Sequence, residues 1–228
     1  MNNADRYVAT QDRVVELVAG LDDHERVAAT PEWSLHDLLA HVVGVADDVA
    51  SGRVDGYASA DWTHRQVGRG AGRSREELMS DWADSTARLV PVLCDPVGRG
   101  LDASFGVRPL LDLLAHEQDI RESNGLAATL DPADWEVVAN RRRDVLHHDV
   151  TAAQLPALQI RTPEGDSWCV GSGDPSATVL VARQDLWRSL EGRRPREVVR
   201  SFDWSADPAP YLQVWLGPVF AWPEDHEP

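Results

Sequence analysis

Asp112 and His116 stand four residues apart in the segment Asp112-Leu-Leu-Ala-His116-Glu-Gln-Asp-Ile-Arg121. On a helix that spacing puts them one turn apart on one face. Leucines at 110, 111, 113 and 114 surround the pair on all sides of the helix, the mark of a buried helix. A carboxylate and an imidazole buried together need compensation for charge. A divalent metal would supply it, because carboxylate oxygen and imidazole nitrogen are standard zinc ligands. A third ligand is on offer in Trp33-Ser-Leu-His-Asp-Leu-Leu-Ala-His41. The competing reading is a buried Asp–His hydrogen bond that serves only the core. Spacing alone does not decide, since Asp-x-x-x-His recurs at Asp37/His41, Asp112/His116 and Asp144/His148. Asp37 has another role, closing a capping box opened by Ser34, with Trp33 in the staple position against Leu38. Asp144 and His148 follow Arg141-Arg142-Arg143, a solvated stretch. Only the 112/116 pair lies in an apolar frame.

The elements that must carry these residues are helical over the first two-thirds of the chain. Helices are expected over 4–20, 34–51, 74–93, 109–124 and about 132–149. The clearest is 34–51, where Leu35, Leu38, Leu39, Val42, Val45, Ala46 and Val49 recur at helical spacing. Ser74 with Glu77 caps the third helix, Pro109 opens the fourth, and Asp131-Pro132 opens the fifth. Residues 53–73 and 94–108 read as loops. Near Leu155-Pro156 the pattern changes to short strands at 156–161, 168–170 and 177–181, a helix at 184–191 closed by Gly192, and a last strand over 198–204. The fold class is therefore α+β. An antiparallel four-helix bundle occupies 1–152 and a small α+β domain occupies 153–228. Facing helices of such a bundle are where metal sites are built. Gly171-Ser-Gly173 is a turn, because no helix follows it to bind phosphate.

The composition narrows the partners. The formal net charge is −16, which argues against nucleic acid or an anionic membrane surface. No apolar run approaches the ~20 residues that span a bilayer. The first residues lack a basic-then-apolar signal pattern, so a cytoplasmic protein, monomer or homodimer, is expected. All 22 basic residues are arginine, which removes lysine Schiff-base chemistry. Cys94 and Cys169 form no Cys-x-x-Cys motif and are expected to be unpaired. No Gly-x-Ser-x-Gly elbow is present.

Taken in order and spacing, several segments resemble the mycothiol-dependent maleylpyruvate isomerase family, part of the DinB-like metalloprotein superfamily. Pro31-Glu-Trp-Ser-Leu-His-Asp-Leu-Leu-Ala-His41 is similar to its first metal segment, and Asp112 to Arg121 to its second. Trp168-Cys-Val-Gly-Ser-Gly173, Leu190-Glu-Gly-Arg-Arg194 and Phe202-Asp-Trp-Ser-Ala-Asp207 resemble its appended sterol-carrier-like domain. The resemblance implies a divalent metal, usually zinc, on His41, Asp112 and His116, and mycothiol as thiol cosubstrate. This chain carries Asp112 where the characterised isomerase has Glu, so its helix must come closer to the metal. A thiol at such a metal loses its proton. The thiolate can add to a small, carboxylate-bearing electrophile, leading to cis–trans isomerisation or to S-transfer.

Arg193 and Arg194 are the candidates for contacting a substrate carboxylate. Asp119, on the Asp112/His116 stripe, is the candidate for orienting a ligand, whereas Arg121 falls well off that stripe. His147 and His148 read as structural or exposed. Two other functions share the same residues: a non-catalytic metal or small-molecule binding protein, and a 2-His-1-carboxylate iron enzyme.

Overall fold

Asn2 and Asp5 form a reciprocal capping box that starts α1 (Asn3–Val18). In the computed structural model, which describes residues 1–128 and 130–225, a two-stranded ribbon follows, β1 (Arg26–Val27) and β2 (Thr30–Ser34). Ser34 then opens α2 (Leu35–Ala50): its hydroxyl accepts from Asp37 N at 3.2 Å and Asp37 Oδ2 accepts from Ser34 N at 2.9 Å. Next come α3 (Ala60–Gly70), α4 (Arg75–Cys94) with the Ser74/Glu77 box, and α5 (Arg108–Ser123) with proline in its first turn.

Helices α1, α2, α4 and α5 make the bundle, α1 and α2 each packing on both α4 and α5. Polar contacts give their directions. Asn3 reaches Gly106 O at 2.8 Å and Arg13 reaches Glu117 at 2.8 Å, so α1 and α5 run side by side in the same sense. His36 donates to Arg73 O at 2.8 Å and Arg88 to Asp47 at 2.8 Å, so α2 and α4 also run together. Trp82 Nε1 donates to Tyr7 at 3.1 Å and Arg75 to Leu21 O at 2.7 Å, which sets α1 against α4. The antiparallel pairs are thus α1/α4 and α2/α5.

Helix α3 makes this order possible, because it carries the chain back along α2 so that α4 starts at the same end. The sequence reading leaves residues 53–73 as a loop. Its buried face consists of Trp62, Gln66 and Gly70, with one apolar side chain among them, so apolar periodicity is silent there. Close approach replaces hydrophobic bulk: a Cβ at Gly70 would lie 2.3 Å from Ala40 Cβ, and one at Gly44 2.5 Å from Gln66 Cβ.

The chain divides into two compact units at 129/130. The sequence reading sets the boundary at 152/153; in the structure α6 (Pro132–Ala152) lies wholly with the second unit. There it packs on the strand Ser167–Val170 and on the helix Arg183–Leu190. Strands β3 (Leu158–Arg161), β4 (Ser167–Val170) and β5 (Ala177–Leu180) are followed by α7 (Arg183–Leu190), α8 (Arg196–Arg200), β6 (Asp203–Trp204) and α9 (Ala209–Leu212). The sheet order is β4-β3-β5-β6, with β3 and β5 parallel and the other pairs antiparallel. Of the strand expected over 198–204, residues 198–200 belong to α8 and strand forms at Asp203–Trp204. Pro195 starts α8, and Glu197 and Arg200 match the charges of its ends. Gly171 and Gly173, at φ +90° and +87°, form the turn that leaves β4.

Asp166 ties α6 to this sheet. It accepts from Arg183 at 2.6 and 3.0 Å, Thr162 at 2.6 Å and Trp135 Nε1 of α6 at 3.1 Å. The Arg183 guanidinium, followed by the Thr162 and Trp135 donors, lowers its pKa from 3.8 to about 2. A carboxyl lowered in the folded state stabilises fully above its unfolded pKa of about 3.9, and this is lost as pH falls through about 2. Denaturation of the full chain at pH 6 and at pH 3 should therefore show a smaller acid loss in Asp166→Asn than in the wild type; equal losses would remove this role.

Gly44→Ala tests the α2–α3 contact. Its new methyl meets the Cβ, Cγ and backbone Cα of Gln66 at 2.5, 2.6 and 3.2 Å, so backbone must move. A loss of about 1–3 kcal/mol, the range for overpacking, is expected in urea denaturation.

Candidate metal centre

Helix α5 is buried from Leu113 to Ile120 without a break, including His116, Glu117, Gln118 and Asp119. Its polar residues therefore sit in a dry setting. Glu117 takes Arg13 at 2.8 Å and Arg121 at 3.0 and 3.1 Å, which accounts for Arg121.

The stripe of Asp112 and His116 faces His41 of α2. His41 Nε2 lies 3.6 Å from Asp112 Oδ1, and His116 Nε2 lies 3.7 Å from the same oxygen. One ligand atom from each residue falls within 4.8 Å of the other two. These separations are too long for hydrogen bonds. They are close to the ~3.4 Å that separates two atoms each ~2.1 Å from a tetrahedral ion. The two imidazoles meet edge-on with centroids 5.1 Å apart. The direct Asp112–His116 hydrogen bond of the competing reading is not made.

Both imidazoles are held from behind. His116 Nδ1 is 2.9 Å from Asp119 Oδ2. A carboxylate only accepts, so Nδ1 carries the proton and Nε2 presents its lone pair. His41 Nδ1 is 2.8 Å from Gln66 Oε1. The amide orientation follows from its other end, where Nε2 donates to Asp48 Oδ2 at 2.9 Å. Asp48 is buried and is held by Arg53 at 2.9 Å and Arg69 at 2.8 Å. His41 therefore also donates from Nδ1 and turns its Nε2 lone pair toward Asp112.

Gln66 and Asp48 escape the sequence reading for different reasons. Gln66 sits in the helix whose buried face is nearly free of apolar residues. Asp48 was legible, standing seven residues after His41 and so two turns along the same face of α2.

Aromatic rings line the site. Trp33, read from sequence as a staple residue, places its ring 5.1 Å from His41 and 6.2 Å from His116. Asp112 is 26% exposed against 5% and 7% for His41 and His116, so its side is the accessible one. Burial, and after it the Asp112 charge, pushes the Tyr57 phenol well above the usual tyrosine range, while Arg108 draws it back. Burial raises the Tyr7 phenol as well, with the Trp82 hydrogen bond opposing and Asp112 adding. Both stay protonated at neutral pH.

Arg193 and Arg194 belong to the second unit. Arg193 Nη1 donates to Glu191 O at 3.1 Å, and Arg194 Nε donates to Asp185 at 3.1 Å. His147 Nδ1 accepts from Gly171 N at 3.2 Å, a structural contact, and Asp144 pairs with Arg143 at the surface. Cys94 and Cys169 are both free and exposed. No helix among the described residues is long and apolar enough to cross a membrane.

Gln66→Leu should leave the fold intact but release His41 to the other tautomer. Metal affinity should fall about 10- to 100-fold, as for other partners of metal-ligating histidines. Competition with a chromophoric chelator measures this; an unchanged affinity would show that Gln66 does not orient His41.

The geometry agrees with comparisons. Residues 8–121 match the family described as the mycothiol maleylpyruvate isomerase N-terminal domain. Two solved structures share the fold. One is a histidine-to-alanine mutant of the mycothiol-dependent maleylpyruvate isomerase, with TM-score 0.58 and 13% identity over 90% of this chain and 92% of that one. The other is the mycothiol-dependent maleylpyruvate isomerase, with TM-score 0.54 and 12% identity over the same shares. No curated protein matches the sequence.

Proposed function

The chain belongs to the mycothiol maleylpyruvate isomerase N-terminal domain family, and on that premise we propose that it is a metal-dependent enzyme that uses mycothiol against a small electrophile. The chemistry is either cis–trans isomerisation or S-transfer. One observation carries the reading: two imidazoles, each held at Nδ1, turn Nε2 toward the same Asp112 carboxylate oxygen. That donor set, two nitrogens and one oxygen, fits zinc.

A zinc-class ion held by His41, Asp112 and His116 would supply a positive centre with open positions, where a thiol becomes thiolate at neutral pH. The protein's own part is preorganisation. Asp119 and the Gln66–Asp48 chain keep the imidazoles in one tautomer, so no reorientation is needed when the ion arrives. Trp33 walls off the histidine side and leaves approach from Asp112. The exposure of both cysteines, and their absence from the cluster, supports a thiol brought from outside. Arg193 and Arg194 stay proposed as contacts for a substrate carboxylate.

Purified protein should hold about one zinc-class ion per chain, and metal analysis separates zinc from ferrous iron. His116→Ala should lose the ion and melt at lower temperature, since metal binding is coupled to folding. Turnover of an electrophile panel should require both metal and added mycothiol, and should persist in the Cys94→Ser, Cys169→Ser protein. Turnover by that double variant without thiol would refute the borrowed-thiol reading. Retained metal without turnover on any electrophile would favour a binding protein.

A further inference from the structure

We propose that Arg108 is an anion-binding residue that holds the carboxylate of a small acid beside the His41–Asp112–His116 cluster. The proposal rests on the reading of that cluster as a reaction centre. Arg108 is the first residue of α5 and stands four residues before Asp112, on the same face. The axial rise between them is about 6 Å, at ~1.5 Å per residue.

The guanidinium is fixed by aromatic rings. Its central carbon lies 5.4 Å from the Tyr57 centroid and 5.1 Å from that of Phe105. These rings meet edge-on at 5.1 Å, and Tyr57 packs on Trp62 at 4.7 Å, so the platform is itself held in the core. Cation–π contacts engage the faces of a guanidinium and leave its in-plane N–H donors available.

Those donors are unused among the described residues. The chain has 38 acidic and 22 basic residues, and arginines of the first unit readily find carboxylates. Arg13 pairs with Glu117, Arg69 with Asp48, Arg75 with Asp23 and Arg88 with Asp47. Arg108 is half-buried yet makes no hydrogen bond or ion pair with any described residue. Asp112, at i+4, is the carboxylate it would most easily reach, and no Arg108–Asp112 pair forms. The Tyr57 ring lies under the Arg108 guanidinium, and its phenol feels both charges, Asp112 raising its pKa and Arg108 lowering it. Tyr57 Oη also takes no partner among the described residues and adds a neutral donor.

A free guanidinium fork matches a carboxylate in geometry and charge. Placed one helical turn before Asp112, it would seat an acid beside the cluster, and the ligand class is a small carboxylate. The residue lay outside the sequence reading because that reading treats 94–108 as a loop.

Crotonate and its neutral isostere crotonamide can be titrated into the full-length protein by ligand-observed NMR, with zinc and after EDTA treatment. The wild type should prefer the acid. Arg108→Gln should weaken crotonate about 10- to 100-fold, the range for losing charge-assisted hydrogen bonds, and leave crotonamide unchanged. Arg108→Lys keeps the charge but loses the fork, so it should fall between; it also decides the matter if Arg108→Gln fails to fold. Unchanged crotonate affinity in the variants, or no preference for acid over amide in the wild type, would overturn the proposal. Neither thiol nor turnover enters this measurement. A protein that bound no metal or turned nothing over would sink the enzymatic reading while the Arg108 result stayed readable in the EDTA-treated samples.

Discussion

The site depends on the tautomers of two buried histidines. An imidazole can offer a metal only one lone pair, and which nitrogen offers it is set by what the other nitrogen touches. His116 has a carboxylate behind it, so the choice is forced. His41 has an amide, which could face either way, and the choice passes outward to Asp48 and the arginines that hold it. Two donor atoms thus point at one oxygen before any ion is present. The cost of gathering them is met by burial and by hydrogen bonds made elsewhere in the bundle.

That constraint explains features of the fold that otherwise look unrelated. Gln66 reaches His41 only because α3 lies almost in contact with the backbone of α2, and Gly44 and Gly70 are what permit it. A side chain at either position would lift α3 and take Gln66 with it. The same helix returns the chain to the start of α4 and so sets the parallel course of α2 and α4. A short, polar, glycine-containing helix serves both the topology and the chemistry.

Charge is distributed by the same logic. The chain is strongly acidic, yet its buried carboxylates are compensated individually: Glu117 by Arg13 and Arg121, Asp48 by Arg53 and Arg69. Asp112 stands apart in being a quarter exposed and in lying within 4 Å of two imidazole nitrogens. Its neighbours Tyr7 and Tyr57 remain protonated because burial and the Asp112 charge act in the same direction on both. A cation arriving there meets one part-exposed carboxylate and two imidazole nitrogens, not a general sink of negative charge.

Much of this was legible in the sequence alone. His41, Asp112 and His116 were marked by residue type, by spacing and by an apolar frame, because helical periodicity converts spacing directly into a shared face. The Ser34 and Ser74 caps, the bundle helices and the α+β character of the second unit were legible for the same reason: each is written in local pattern. What local pattern does not encode was decided by tertiary structure. Helix α3 is stabilised by close backbone approach instead of apolar bulk, so its periodicity is empty and Gln66 was hidden with it. Helix α6 has a strong cap and proline start, which fix that it is a helix but not what it packs on; only its contacts with the sheet, and the Trp135–Asp166 bond, assign it to the second unit. Arg108 reads from sequence as the last residue of a loop; that it begins α5, and that no carboxylate of a described residue occupies its guanidinium, depends on contacts that exist only once the chain has folded.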